Sequence, residues 1–287
     1  MAIHDYIGMR LTGRHAPLVH VSDAESFGAP EMPGFAEMFA VTSRTECVGE
    51  TAGGVPVAVA IGDNQASFLG SVKDAADSVL VNMGTGGQIS AVVETGVQCQ
   101  NTETRPYVDG GALLVGFSLC GGRAYALLEK LFCEIAELAG ALPCEPLYEK
   151  MNALAEAPLA DGLRVSTLFS GTRADPSLRG SIAGINDRNL TPAHLVQGVL
   201  RGMAEELLAF FPGMRGHMLK APARLVGSGN AIRKNSHLQR IFEEISGLPM
   251  SIPAHREEAA YGAALFAMAA AGLRKSVADA QKVIKYL

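Results

Sequence analysis

The chain has no tryptophan, and phenylalanine and tyrosine are sparse, with aromatic residues at only 6% of the sequence. Basic runs are also missing: 24 Lys and Arg stand against 29 Asp and Glu, with the signs mixed along the chain. Without a basic stripe interleaved with aromatics there is no nucleic-acid surface to read. Cysteine is scarce and odd in number, at positions 47, 99, 120, 133 and 144, with no Cys-x-x-Cys pair. That spacing indicates neither a disulfide framework nor a zinc site, and suits small buried residues in a reducing compartment. Long apolar runs are absent too. The longest, 261–273, is rich in Gly and Ala and too short to span a bilayer, and MAIHDYIGMRLTG has no signal-peptide core. A soluble, cytoplasmic protein is expected. The histidines (4, 15, 20, 194, 217, 237 and 255) are scattered, so no metalloenzyme ligand set is legible. Two phosphate motifs are also lacking, G-x-x-x-x-G-K-[ST] and G-x-G-x-x-G.

What remains is a chain of 287 residues, 48% apolar, with 32 glycines. That is enough to bury a sizeable core in one large domain. Residues 1–50 are rich in turn formers and show no sustained period beyond a short stretch near 35–40. They read as the tail of something upstream. From residue 51 the pattern sharpens. Residues 55–61 (VPVAVAI) predict a buried strand running into a helix that opens near Asp63. Residues 78–83 and 88–93 predict a hairpin across GTGG, and 112–117 a third strand leading through Gly121 and Gly122 into a helix over 123–140. The glycines and proline of 169–185 argue against regular structure there. Thr191 and Pro192 open a helix to about residue 211. A strand at 223–226, a helix at 234–246, a strand at 248–252 and a helix at 256–271 complete an alternation that predicts an α/β domain with a mixed sheet.

Glycine turns follow three of the strands, at 84–87, 121–122 and 227–229. Bare backbone at a strand end can press its N–H groups against an anion, and a helix opening there adds favourable partial charge. Asp63 sits where a carboxylate could accept a proton from a hydroxyl, or could simply cap its helix. Thr85, between glycines, could offer its hydroxyl to a phosphate oxygen.

Five segments in order carry a family resemblance: GVPVAVAIGDNQASFLG, MGTGGQIS, FSGTRADPSLRGSIAG, GSGNAIRKNSHLQ and EEAAYGAALFA. Over about residues 50–272 the chain resembles the FGGY carbohydrate kinases. The resemblance implies an actin-like ATPase (ribonuclease H-like) domain, with a mixed sheet flanked by helices, over 51–273. It implies a remnant of an N-terminal sugar-binding domain over 1–50 and a tail over 274–287. It implies ATP as co-substrate with Mg²⁺, and a small sugar as acceptor.

Carried over by position, Asp63 matches the base that deprotonates the sugar hydroxyl, and Asn64 a neighbouring substrate contact. Gly84, Thr85 and Gly86 match the loop around the terminal phosphates, and Gly122 a nucleotide-contacting glycine. Gly229, Asn230, Ala231 and Asn235 match the adenosine loop. Asn230 stands where many members have glycine, and Asn tolerates left-handed backbone. The resemblance gives Arg173 and Arg179 the task of holding their own loop. The stretches SGNAIRKN and SLCGGRAYALL are most similar to members that phosphorylate a seven-carbon ketose. Xylulose, ribulose or glycerol as acceptor, and a non-catalytic nucleotide-binding module, are the other readings. The Asp-x-Gly-Thr loop of the family's N-terminal domain does not occur here. The chain is therefore expected to need that domain as a partner, and its uncovered apolar surface to promote self-association.

Overall fold

A computed structural model describes residues 2–26, 39–141, 145–157 and 159–287 of the chain. The first fifty residues depart from the expectation of turns. They form helix α1 (Ile3–Thr12), strand β1 (Leu18–His20), helix α2 (Val21–Ser26), strand β2 (Ala40–Thr42) and strand β3 (Cys47–Glu50). Gly13 closes α1 at φ 70°, a backbone that glycine adopts without strain. Residues 35–38 of the short periodic stretch, and Cys144, lie outside the described residues. Cys133 departs from the expectation of free thiols, because it is disulfide-bonded.

The strand expected over 55–61 is shorter and less buried than its composition suggests. Strand β4 (Pro56–Ala58) pairs only with β3, and Val55 is 60% exposed. Residues 59–62 then lead to helix α3 (Asp63–Ser71). Strands β5 (Ser78–Met83) and β6 (Gly87–Val93) form the expected hairpin. Strand β7 (Glu103–Pro106) was not expected, since ETRP has no β pattern; β8 (Ala112–Ser118) was. Helix α4 (Arg123–Leu138) and helix α5 (Tyr148–Ala155) follow. Strand β9 (Arg164–Ser166) pairs with β10 (Ser181–Ala183), which places regular structure inside the segment expected to be irregular.

Helix α6 (Pro192–Leu208) starts at its expected cap, with the Thr191 hydroxyl accepting the His194 N–H. Helix α7 (Phe211–Arg215), strand β11 (Arg224–Ser228), helix α8 (Asn230–Arg233) and helix α9 (Ser236–Ser246) come next. Strand β12 (Met250–Ser251), helix α10 (Glu258–Ala270) and helix α11 (Val277–Gln281) end the chain.

The central sheet has the order β12-β11-β5-β6-β8-β7. Strands β12, β11 and β5 are parallel, and β5, β6, β8 and β7 alternate in direction. Period-two alternation divides its side chains between two cores. Val79, Val81, Met83, Ile89, Ala91 and Leu114 face α4, α6 and α9. Leu80, Val92, Leu113, Val115 and Val226 face the other way, against Phe68 and Leu69 of α3 and Phe266 of α10. Each such fully buried side chain contributes on the order of 1.5–3 kcal/mol.

Helices α3 and α10 cross with no side chain between them. A Cβ on Gly70 would lie 2.6 Å from the Gly262 nitrogen and collide with the Glu258 carbonyl oxygen. A Cβ on Gly262 would lie 2.7 Å from the Gly70 nitrogen and collide with the Ala66 carbonyl oxygen. Nearby, His255 Nε2 lies 2.5 Å from the Gly70 carbonyl, which accepts its proton. The final residues fold onto the same helix: Gln281 Nε2 donates to the Val72 carbonyl at 2.7 Å, and the Tyr286 hydroxyl accepts the Lys73 N–H at 2.9 Å. Among the described residues no helix is long and apolar enough to cross a membrane.

Because the crossing has no slack, Gly262→Ala should force α3 and α10 apart, destabilising the fold by about 2 kcal/mol or more. Its thermal midpoint should fall by roughly 4–8 °C. Gly162→Ala, where an added Cβ meets nothing within 4 Å, should leave the midpoint unchanged. Equal midpoints for the two variants would refute the close crossing.

Candidate functional site

The three glycine turns lie on one rim of the sheet, at the ends of β5, β8 and β11. Gly122 N–H donates to the Gly84 carbonyl at 3.1 Å, and Arg123 N–H to the Thr85 carbonyl at 3.0 Å. The start of α4 therefore spends two donors on the hairpin turn and is not a free anion site at those groups. Glycine is required for this closeness. A Cβ on Gly121 would sit 2.5 Å from the Gly87 nitrogen, and one on Gly122 would collide with the Gly84 oxygen and come within 3.2 Å of the Ala231 Cβ. The third turn reaches the first in the same way. Gly229 has φ 82°, and a Cβ there would lie 2.6 Å from the Met83 carbonyl carbon. Left-handed backbone thus falls on Gly229, and Asn230, expected to need that freedom, begins α8 without a positive φ. Gly84, Thr85 and Gly86 are exposed.

Asp63 is the first residue of α3, and its role as a cap is not realised. Gly62 occupies the N-cap position, with no side-chain cap bond. The Asp63 carboxylate is exposed. Its backbone is held from three directions. Gly62 N–H donates to the buried Ser22 hydroxyl at 3.1 Å, and Ser22 Oγ lies 2.8 Å from His20 Nδ1. Gln65 Nε2 donates to the Pro106 carbonyl at 2.8 Å. Asn64 and Gln88 exchange two hydrogen bonds, each 2.9 Å. Burial pushes the His20 imidazole below its ordinary value, so this support is neutral.

Gln88, which sequence reasoning did not single out, joins the acid to the turns. It follows Gly87 and pairs across the sheet with Asn82 on β5 and Phe117 on β8. Directly paired residues share a face, so Asn82, Gln88 and Phe117 form a row beneath the start of α3. The Arg173 guanidinium covers the Phe117 ring at 3.7 Å, and Glu103 is ion-paired to both Arg105 and Arg173. Burial would raise the Glu103 carboxyl, but the hydrogen bonds and charges of the two arginines outweigh it and hold it below its ordinary value. Arg173 thus reaches across to β7 and β8, whereas Arg179 holds its own loop through the Pro176 and Leu178 carbonyls. Asp63, Glu103 and Arg105 line a cleft of about 1010 Å³ that also receives His4 and Asp23.

Arg233 was invisible at the level of sequence, and Asn235, matched there to the adenosine loop, has a structural task. Arg233, in α8, is ion-paired with Glu258 at 2.6 Å and donates to the Pro253 and His255 carbonyls. It ties the third turn to α10, which crosses the helix carrying Asp63. Asn235 caps α9 by accepting the Leu238 N–H at 2.9 Å, and it donates to Asn152 at the same distance. It is 6% exposed, so its amide is committed to the fold.

A mixed sheet between two helical layers, with an acidic residue and three glycine turns on one rim, defines a domain of the actin-like ATPase class. The chain belongs to the FGGY family of carbohydrate kinases, whose C-terminal domain matches residues 79–271. It is 27% identical to human (Homo sapiens) sedoheptulokinase over 292 residues, covering 92% of this chain and 60% of that protein. Its fold is similar to ligand-bound xylulose kinase from Lactobacillus acidophilus, with a TM-score of 0.81 at 17% identity, over 100% of this chain and 62% of that one. It is also similar to Plasmodium falciparum glycerol kinase with ADP, with a TM-score of 0.79 at 17% identity, over 99% and 61% of the respective chains. The chain thus spans about three fifths of the length of these relatives.

The amide exchange should be measurable as a coupling. In a double-mutant cycle with Asn64→Ala and Gln88→Ala, followed by urea unfolding, a coupling energy of about 1 kcal/mol is expected. Additive effects of the two substitutions would show that the pair contributes nothing as a pair.

Proposed function

We propose that this chain is the nucleotide-holding C-terminal part of a kinase that transfers the γ-phosphate of ATP to a hydroxyl of a ketose. Sedoheptulose is the acceptor that the similarity to human sedoheptulokinase favours. One observation supports the reading most: the turns at Gly84–Gly87, Gly121–Gly122 and Gly229 meet on the rim where Gln88 bonds to Asn64, beside Asp63. Phosphoryl transfer needs a nucleophile, a held phosphate and charge neutralisation in a fixed arrangement, and little else from the protein.

In this reading Asp63 takes the proton of the attacking hydroxyl. Exposed and free of any cap bond, its carboxylate is available for that. Asn64 contacts the sugar, sharing its amide with Gln88 or releasing it. Gly84, Thr85 and Gly86 surround the terminal phosphates through bare backbone, and Gly122 lets that turn close. Gly229, Asn230 and Ala231 meet the adenosine, and Asn235 shapes their loop from below. Mg²⁺ bound with ATP would neutralise the charge that develops between the phosphates. Asp63 is the acid that this side of the reaction supplies, and the remaining groups belong to the other domain of the kinase.

The outer face of α1 fits that division. Ile3, Tyr6, Ile7 and Leu11 recur at helical spacing and are all exposed, Ile3 at 77%. Such a stripe suits a covering partner, here the family's N-terminal domain. The protein is read as acting in the cytoplasm, where ATP and sugar are both present.

Two measurements test the proposal. Supplied with an N-terminal domain, the chain should phosphorylate sedoheptulose in a coupled ADP-release assay, and Asp63→Ala should lower kcat by roughly 10²–10⁴-fold while ADP affinity by calorimetry stays unchanged. Transfer that survives Asp63→Ala would remove Asp63 as the base. Assayed alone, the chain should bind ADP and give no phosphorylation above background; robust turnover by the chain alone would overturn the two-part reading.

A further inference from the structure

The histidines look scattered in the sequence, yet one of them meets two carboxylates in the fold. One ligand atom each from His4, Asp5 and Asp23 lies within 4.8 Å of the others, and this is the one such group among the described residues. His4 and Asp5 lie in the first turn of α1, and Asp23 lies in α2. Both carboxylates are more than nine-tenths buried, Asp5 at 4% and Asp23 at 5% exposure. Asp5 Oδ2 accepts the Ala2 N–H at 3.1 Å, but Asp5 Oδ1 is buried with no hydrogen-bond partner. Asp23 Oδ2 lies 3.1 Å from His4 Nε2, without hydrogen-bond alignment at either atom. A buried carboxylate oxygen that lacks a donor is strongly unfavourable, and it is relieved either by taking up a proton or by a bound cation, which alone also serves the neighbouring Asp23. A protonated His4 answers for Asp23 alone and leaves Asp5 Oδ1 unsatisfied.

We propose that His4, Asp5 and Asp23 form a binding site for a first-row divalent cation in the wall of the cleft that Asp63 also lines. One imidazole nitrogen and two carboxylate oxygens make a mixed N/O set of the kind Mn²⁺ and Zn²⁺ accept. The ion replaces the His4 proton and bridges the two buried acids, joining α1 to α2. Three protein ligands leave coordination positions open toward the cleft, so the ion can hold water or an anionic group there. His4, Asp23 and Asp63 line the same cleft, so an ion here also offsets its acidic side. Nothing in this site requires the nucleotide turns, and it stands apart from the assignment of Asp63 as a base.

The test is a Mn²⁺ titration of the full chain without nucleotide or sugar, followed by loss of the free-ion electron paramagnetic resonance signal. One ion should bind per chain. His4→Ala and Asp23→Asn should each weaken binding by about tenfold or more, and Asp63→Asn, which removes a nearby charge and no ligand, should weaken it less than either. Because a variant could disturb α1, the wild-type complex gives a second readout: pulsed resonance should show coupling of bound Mn²⁺ to an imidazole nitrogen. Zn²⁺ should displace the Mn²⁺. Absence of binding, binding without nitrogen coupling, or affinity unmoved by His4→Ala and Asp23→Asn would each overturn the proposal. Neither ATP turnover nor its failure bears on the result.

Discussion

Gly70 and Gly262 bring two helices together backbone against backbone, and the arrangement of the rim depends on that contact. Helix α3 begins with Asp63, and α10 begins with Glu258, the partner of Arg233 in the helix that follows the third turn. With no side chains at the crossing, neither helix can slide without backbone overlap, because packed interiors have little free volume to absorb a shift. The position of the acid is therefore referenced to the turn at Gly229 through a rigid joint. His255, donating to the Gly70 carbonyl, and Gln281, donating to that of Val72, fasten the same helix from its far end.

The glycine turns are also less independent than their sequence separation suggests. The hairpin turn hands two carbonyls to the start of α4, and Gly229 presses against the carbonyl carbon of Met83. Their shared property is close approach of one backbone to another, which only residues without Cβ permit. A helix start that has already given its first donors to protein cannot also give them to an anion. Binding capacity on this rim thus rests on the exposed groups of residues 84–86 and on the opening of α8, more than on α4.

Legibility in the sequence tracked the physical origin of each element. The hairpin and α6 were readable because their signals are local: alternation around a glycine turn, and Thr191 with Pro192 at a helix start. Strand β7 was not, because Glu103 and Arg105 on an edge strand carry no apolar pattern. Helix α1 was missed because its apolar residues line the exposed face, so no buried stripe marks it. The three turns were found as candidates and their meeting was not, since closeness of Gly122 to Ala231 is a property of topology. Arg233 with Glu258, Asn64 with Gln88, and His4 with Asp23 are paired across 25, 24 and 19 positions, with no spacing rule to announce them. The five segments conveyed the family through their order along the chain.

The exchange between Asn64 and Gln88 has a consequence for how this region can change over evolutionary time. Each amide gives one bond and takes one, a reciprocity that a carboxylate cannot match, since two oxygens would then face each other. A hydrophobic residue at either position would strand the other amide, at a cost of about 1–3 kcal/mol. Drift at the two positions is consequently bound together: the permitted alphabet is a pair of amides or a joint replacement. A lineage that abandons one should be found to have rebuilt the other.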